Sequence, residues 1–591
     1  MNDRSGRLLR IALPTSLLIL LGACTTNPLF PSESDYHPAT AKERLRTIRN
    51  LDIESYKVGD LPGAEATLEE QVERYREQPN PLDGLERYDL TLEQTRAWVL
   101  QNNLDIQVAL VNPTIARESL SAEEAAWESI FFINARTSEF DQPTDSLLSG
   151  NQFESDSFTP GVRVPLRTGG TLNLTVPISR SETDNQFSTL NPSYTSDLQF
   201  SLSQPLLRGG GRRANTHALR IEALNYELTE AATKLEVIRQ LAAADRAYWT
   251  LFAIQRVLDV RIQQYELAME QLRRAERRVN ADESPRIEVT RAQSGVAERL
   301  EGIIQARNSF LQAQRALKRV MNVEGLNVRT ETVLNLTSDP EPMEFSFESN
   351  QLADEALAAR MEMLQLELQF AQDLSTIDFL KNQALPLFTM DYTYTMNGLG
   401  GSLSESAGVM RDHRFEDWSL GVNFEVPLGN EAAEARVHRA ILQRLQRLST
   451  QELQRRAIEQ EVFNAVDGIT SAWQRILAAQ IAVLLAQRTY EAEVNQFNQG
   501  LRTSTDVLDA AAQLADAQSS EIRALADYEI ARVDLSFATG TILGTAKTRW
   551  DPSDPRSPDD FQGESPEHSR PIFFPGAGER TSDAGASADE G

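Results

Sequence analysis

Two segments of this chain, 279–320 and 497–538, carry the same apolar spacing, and this echo constrains the fold more than any other feature. In the later segment Val507, Ala510, Leu514, Ala517, Ala524, Tyr528, Ala531, Leu535 and Ala538 recur on steps of three and four, broken at Glu521. In the earlier one Val289, Ala292, Val296, Ile303, Ala306, Phe310, Ala313, Leu317 and Val320 keep the same phase, broken at Arg299. A period of about 3.5 residues is the seam of a supercoiled helix pair, and alternating alanine lets the backbones approach closely. Two copies of the seam mean a duplicated unit. The later helix carries a second stripe, Leu508, Ala511, Ala515, Ile522 and Leu525. Adjacent seams require neighbours on both sides, as in a wall of helices closing into a cylinder.

The duplication extends upstream. The run Asp197-Leu198-Gln199-Phe200-Ser201-Leu202-Ser203-Gln204-Pro205-Leu206 leads through Gly209-Gly210-Gly211 into a long helical stretch. About 220 residues later, Trp418-Ser419-Leu420-Gly421-Val422-Asn423-Phe424-Glu425-Val426-Pro427-Leu428-Gly429 does the same. Each alternates at period two and closes on proline and glycine, as a strand does. Two further alternating runs precede them: Phe131, Ile133 and Ala135 against Phe132, Asn134 and Arg136, and then Phe388, Met390, Tyr392, Tyr394 and Met396 against threonines and Asp391. The repeat unit therefore reads helix, strand, loop, strand, very long helix, tip, helix. The long helices, about 213–280 and 433–497, each span on the order of 100 Å at 1.5 Å per residue. A single globular domain has no room for such rods.

The N-terminus reads as a processing signal. Arg4, Arg7 and Arg10 precede an apolar stretch, 11–21, that is too short to cross a bilayer. Leu21-Gly22-Ala23-Cys24 resembles a lipobox, which predicts cleavage before Cys24 and acylation of its thiol. Thr25 after the cysteine favours sorting to the outer membrane. Cys24 is the only cysteine, so no intramolecular disulfide forms. A formal charge of −28 argues against nucleic-acid binding, because phosphate repels it. The last 41 residues hold ten acidic against three basic side chains with many Pro, Ser and Gly, a composition that does not build a core. The expected organisation is a signal peptide at 1–23, a lipid-anchored periplasmic arm at 24–85, repeat 1 at 86–324, a linker at 325–345, repeat 2 at 346–544, and an acidic tail at 545–591.

The strands carry the next constraint. Trp418, Leu420, Val422, Phe424 and Val426 make one face apolar, while Ser419, Gly421, Asn423 and Glu425 make the other polar. A transmembrane barrel strand places apolar residues toward lipid and polar ones toward a lumen. Four strands cannot close a barrel, and open edges are not tolerated in lipid. The chain is therefore expected to oligomerise, and three copies of four strands give twelve. The stretches 158–166 and 171–178, joined by Arg167-Thr168-Gly169-Gly170, are read first as a hairpin projecting above the membrane. Their other placement adds two strands per chain to the barrel.

The motifs now show a resemblance. Phe497-Asn498-Gln499-Gly500-Leu501-Arg502-Thr503-Ser504-Thr505-Asp506-Val507-Leu508-Asp509-Ala510 resembles the helix-tip motif of the TolC-like outer-membrane factors. Ser203-Gln204-Pro205-Leu206-Leu207-Arg208-Gly209-Gly210-Gly211 is similar to the family's strand-to-helix turn, and 92–106, with Asn102-Asn103-Leu104, to its opening helix. The resemblance covers about 86–544. It implies a mixed α and β fold with an internal two-fold repeat, assembled as a homotrimer. A twelve-stranded antiparallel barrel in the outer membrane would continue into a periplasmic α-helical coiled-coil barrel. It also implies partners: a periplasmic adaptor, an inner-membrane pump and outer-membrane lipid.

On the same resemblance Gly500, Leu501, Thr503 and Ser504 form the adaptor-docking tip, with Gly500 left-handed at the reversal. Asp506 and Asp509, three apart on one helical face, line the periplasmic aperture. By the echo Glu288 matches Asp506 and Arg291 matches Asp509, and Arg502 is placed to bridge to Glu288. Phe497 stands where the family has tyrosine. Asp282 stands in the first tip where the second has Gly500, which weakens the expectation of docking there. The five histidines are scattered outside any metal-ligand pattern, Gly209-Gly210-Gly211 lacks the lysine and hydroxyl of a P-loop, and no catalytic constellation, cofactor or metal site is expected. The function implied is the exit duct of a tripartite efflux or type I secretion system. The rival is a non-conducting structural or adhesive coiled-coil lipoprotein, for which amphipathic strands and a duplicated tip serve no purpose.

Overall fold

The computed structural model describes residues 84–143 and 150–550, together with 51, 53–58, 70 and 82. The signal segment, Cys24, most of the arm and the tail beyond 550 lie outside the described residues. Residues 1–73 and 74–591 form separate units. In the first, the described part holds a 3₁₀ turn, Ile53–Tyr56. The second holds both repeats.

Its first repeat runs β1 (Arg87–Leu90), α1 (Leu92–Asn102), α2 (Leu104–Glu124), β2 (Ile130–Asp141) and β3 (Gln152–Pro165). It continues through β4 (Thr171–Thr175), β5 (Ile178–Thr183), β6 (Ser193–Ser196) and β7 (Leu198–Pro205). Helices α3 (Arg212–Asn215), α4 (His217–Asn280) and α5 (Ile287–Met321) complete it. Strand β8 (Val333–Leu336) comes next, then α6 (Ser349–Ala359), α7 (Met361–Gln383), β9 (Leu387–Met396), β10 (Leu399–Gly400) and α8 (Leu403–Arg411). The second repeat ends with β11 (Glu416–Glu425), α9 (Glu431–Asn498), α10 (Ser504–Ala538) and α11 (Ile542–Thr545).

Nine strands form one antiparallel sheet in the order β10-β6-β5-β3-β4-β7-β9-β11, with β2 on the far side of β3. Strand β3 is fourteen residues long, enough to pair β2 along one edge and both β4 and β5 along the other. Val176 and Pro177 separate β4 from β5, and Asp197 separates β6 from β7, so each pair makes one broken line. Counted this way the chain supplies six lines of strand rather than four.

The reading of 158–178 as a projecting hairpin is thereby corrected. Its turn sits at the helical end of the sheet, where the Gly211 N–H donates to the Thr168 carbonyl at 3.0 Å and Gln204 Nε2 donates to the same oxygen at 3.1 Å. Gly169 is left-handed there, and a Cβ on it would lie 2.3 Å from the Gly209 carbonyl oxygen. The opposite end of the sheet carries the loop before β6 and helix α8, and α8 is tied to β6 by a 2.8 Å hydrogen bond between Ser406 Oγ and Ser196 Oγ.

The register sorts the side chains onto two faces. Phe131, Val162, Leu174, Phe200, Tyr394 and Trp418 stand in one row across the sheet. Val164, Leu172, Leu202, Tyr392 and Leu420 form the next row on that face. The other face carries Arg163, Asn173, Ser201, Thr393 and Ser419. There Arg163 Nε donates to Asn173 Oδ1 at 3.2 Å, Asn173 Nδ2 to Ser201 Oγ at 3.4 Å, and Thr175 Oγ1 to Gln199 Oε1 at 3.4 Å. One face is thus apolar and the other a polar ladder.

Helices α4 and α9, of 64 and 68 residues, are rods of about 100 Å. Along α5 the seam residues Ala292, Val296, Ile303, Phe310 and Leu317 are buried, as are Val507, Ala510, Leu514, Ala524, Tyr528, Leu535 and Ala538 along α10. The break at Arg299 is a tie between hairpins: its Nη2 donates to the Leu508 carbonyl at 3.3 Å. Helix α10 packs on both α9 and α4, as its two stripes require.

Each repeat also ends on the same hydrogen bond. Asn103, between α1 and α2, donates from Nδ2 to the Val320 carbonyl at 2.9 Å. Arg360, between α6 and α7, donates from Nη1 to the Ala538 carbonyl at 3.3 Å, and Val320 and Ala538 occupy matching places in the echo. Between the repeats β1 and β8 pair in parallel, Arg87 with Val333 through Leu90 with Leu336. Beside this clasp the buried Lys318 Nζ is satisfied by the Thr330 carbonyl and hydroxyl and the Thr332 carbonyl, at 2.9, 3.1 and 2.7 Å.

Candidate functional site: the two helical tips

The second tip is built from a helix end, a glycine and a cap. Helix α9 stops at Asn498, Gly500 takes φ +76°, and the Leu501 N–H returns to the Gln496 carbonyl at 3.0 Å. Such a reversal exposes no Cβ to strain when glycine supplies the left-handed residue. Thr503 caps α10: its hydroxyl accepts from the Asp506 N–H at 3.4 Å, while Asp506 Oδ2 accepts from the Thr503 N–H at 2.9 Å. This is the reciprocal capping box. Leu501 at the apex is 72% exposed, an isolated apolar side chain facing solvent.

The first tip reproduces that backbone with other residues. Helix α4 stops at Asn280, Asp282 takes φ +58°, and the Glu283 N–H returns to the Arg278 carbonyl at 2.8 Å. Asp282 therefore fills the place of Gly500, aspartate being among the few residues that tolerate this conformation. The substitution changes the chemistry of the apex and leaves its path intact.

The tips are joined inside the chain. Ser504, almost fully buried, donates from Oγ to Glu288 Oε2 at 2.6 Å. Arg291 Nη1 holds the other oxygen of Glu288 at 2.7 Å. Arg502 turns the other way, its Nε lying 3.1 Å from Gln496 Oε1 and 3.2 Å from Glu493 Oε2. The expected bridge from Arg502 to Glu288 is corrected accordingly: Glu288 already has two donors, and Arg502 has acceptors on its own hairpin. The Arg278 guanidinium lies over the Phe497 ring, 4.8 Å from its centroid. Sequence reasoning noted only the hydroxyl that Phe497 lacks. The signal for this contact was available, since Arg277 and Arg278 end α4 where the echo sets Val279 against Phe497.

The two aspartates are not equivalent. Asp506 is committed to the cap, and the backbone N–H and hydroxyl of Thr503 hold its carboxyl below the usual carboxylate range. Asp509 is exposed one turn further along. Ser504 thus ties Glu288 and Arg291 to the second tip, Asp506 is bonded to Thr503, Arg502 is held by Gln496 and Glu493, and Asp509 stands exposed beside them. Among the described residues no group of His, Cys, Asp and Glu is placed to hold a metal ion.

Comparison with known proteins extends this geometry. The outer membrane protein TolC of Vibrio cholerae is 27% identical over 198 residues, covering 32% of this chain and 44% of its own length. The outer membrane protein TolC of Escherichia coli K12 is 25% identical over 304 residues, 50% of this chain and 60% of its own. The chain spans about half the length of the curated relatives it matches. Among solved structures, the CmeC outer membrane channel of Campylobacter jejuni shares the fold, with a TM-score of 0.57 at 14% identity over 76% of this chain and 85% of that one. The model of the outer membrane efflux protein family matches residues 171–323 and 352–541, more than half the sequence, and the chain belongs to that family.

Proposed function

We propose that this chain is one protomer of a homotrimeric exit duct, passing substrates across the outer membrane from an inner-membrane pump through a periplasmic adaptor. The observation that carries the reading is the two-faced sheet fused to helical rods of about 100 Å. The apolar rows suit lipid, the polar ladder suits a water-filled lumen, and the rods suit a tunnel across the periplasm. Helix α9 supports assembly. It contains a stretch long and apolar enough to cross a membrane, yet only 17% of that stretch is buried. Leu477, Ile481 and Leu484 stand exposed there at four- and three-residue steps, the spacing of a seam awaiting a neighbouring copy.

Within this reading the apex with Gly500, Leu501, Thr503 and Ser504 docks the adaptor, and the matching first tip presents a charged counterpart. Asp509 supplies the exposed ring of carboxylates at the periplasmic aperture, and Asp506 shapes that ring by capping the helix. Cys24 carries the lipid anchor, and the acyl chains add to a barrel already held in the membrane. The test is planar-bilayer conductance of the purified oligomer. Cation-selective conductance that rises when the tips are loosened is the expected result. A folded trimer that never conducts, with or without adaptor, would leave a structural coiled coil.

A further inference from the structure

Strands β2 and β11 are the two long edges of the sheet: β2 is bonded only to β3, and β11 only to β9. Each therefore presents a row of unpaired backbone groups, which hydrocarbon does not tolerate. Each also carries exposed apolar side chains on the face that suits lipid. On β11 these are Trp418, Leu420, Val422 and Phe424, and on β2 Phe131 and Ile133, all more than half exposed.

We propose that β11 of one copy pairs antiparallel with β2 of the next, so that three copies close a barrel of eighteen strands rather than twelve. The proposal rests on the trimeric duct reading and deepens it. Direction permits the pairing. The six lines alternate without exception, β2 leading away from the helical end and β11 returning to it, so the edges that meet run in opposite senses. Facing permits it too. A register offset by an even number of residues sets the apolar rows side by side and keeps the polar faces together.

The family match begins at residue 171, the first residue of β4, and β2 and β3 lie outside the matched range. Because barrel diameter grows roughly linearly with strand number, eighteen strands give a bore about 1.5 times that of twelve. The barrel is then wider than the helical entrance, and the tips rather than the sheet limit what passes.

Paired cysteines test the seam in the full-length chain in native membranes. Trp418, Leu420 and Val422 are each changed to Cys in combination with Phe131→Cys, Ile133→Cys or Ala135→Cys, and oxidised. One register-related set is expected to give covalent trimers on non-reducing gels. A mixed-face pair, Leu420→Cys with Phe132→Cys, is expected to give none. Trimers present by native mass but never linked by any same-face pair overturn the proposal. Electron cryo-microscopy of the conducting trimer provides the second measurement: eighteen wall strands support the closure, and twelve with β2 and β3 outside the wall overturn it alone. Absence of any trimer removes the duct reading and this inference with it.

Discussion

Ser504 Oγ lies 2.6 Å from Glu288 Oε2, a hydrogen bond between residues 216 apart in the sequence. It is short, half-buried and made to a carboxylate, the kind of bond worth about 1.5–3 kcal/mol. Ser504→Ala should therefore release the first tip from the second. The expected outcome is a rise in open probability of at least several-fold in bilayer recordings, with the trimer intact. Glu288→Gln should act in the same direction but less, because an amide oxygen still accepts from Ser504. A Ser504→Ala protein with unaltered gating would detach this bond from the closed state.

Arg278 and Phe497 make another tie between the hairpins. Exposed cation–π contacts contribute about 0.5–1 kcal/mol. Arg278→Ala and Phe497→Ala should each loosen the tips by that amount, and the double variant should lose no more than either alone. Phe497→Tyr should retain the contact. A double-mutant cycle on tip-to-tip crosslinking rate checks this, and strict additivity would mean the ring and the guanidinium do not interact.

Asp506 gives the tip a pH dependence with a definite sign. Its carboxyl titrates below the usual range because Thr503 donates to the charged form. A depressed carboxylate contributes its stabilisation above the ordinary value, about 4, and loses it as pH falls through the depressed one. Amide hydrogen exchange in the first turn of α10 should therefore stay protected down to about pH 4 and open below it. In Asp506→Asn this acid-induced opening should disappear. For block by multivalent cations applied from the periplasmic side, Asp509→Asn should weaken the effect more than Asp506→Asn does. Equal losses would return both aspartates to the pore lining.

Far from the tips, the fully buried Asp245 is held by Arg96 through Nε at 2.9 Å and Nη2 at 2.7 Å. Burial pushes the Asp245 carboxyl above its ordinary range, and the Arg96 hydrogen bonds oppose that shift. Removing the arginine strands a buried carboxylate, so Arg96→Ala should cost about 3–5 kcal/mol in denaturant melts. A raised carboxyl contributes stability below its unfolded value and loses it as pH rises through the folded one. Asp245→Asn should flatten that slope.

Periodicity exposed the rods and seams because helix packing writes itself on side chains every third or fourth residue. The tips were equally legible, since a left-handed residue and an N-cap draw on a short list of amino acids, and Gly500 and Thr503 are on it. Asp282 was harder to read, because aspartate fills that backbone position without advertising it. The strand count was misjudged for a physical reason. The stretches 158–166 and 171–178 read as a hairpin, but nothing local in them says whether it pairs within the sheet or projects beyond it, and only the partners β2 and β7 decide that. Pairing partners were beyond sequence altogether. Nothing local in Arg502 says whether it reaches for Glu493 or for Glu288.

The parallel pair of β1 and β8 has a consequence for how the chain is made. Asp89 and Asn335, which face each other across it, are 246 residues apart in the sequence. The long hairpin of α4 and α5 is assembled from contacts between neighbours in the chain, and such contacts form early. The clasp cannot close until residue 336 has emerged, by which time all of the first repeat has been synthesised. Strand β1 therefore stays unpaired until the linker arrives, although Arg96 and Asn103 already tie the segment after it to the first repeat, and the linker, more than a spacer, is the latch that closes that half.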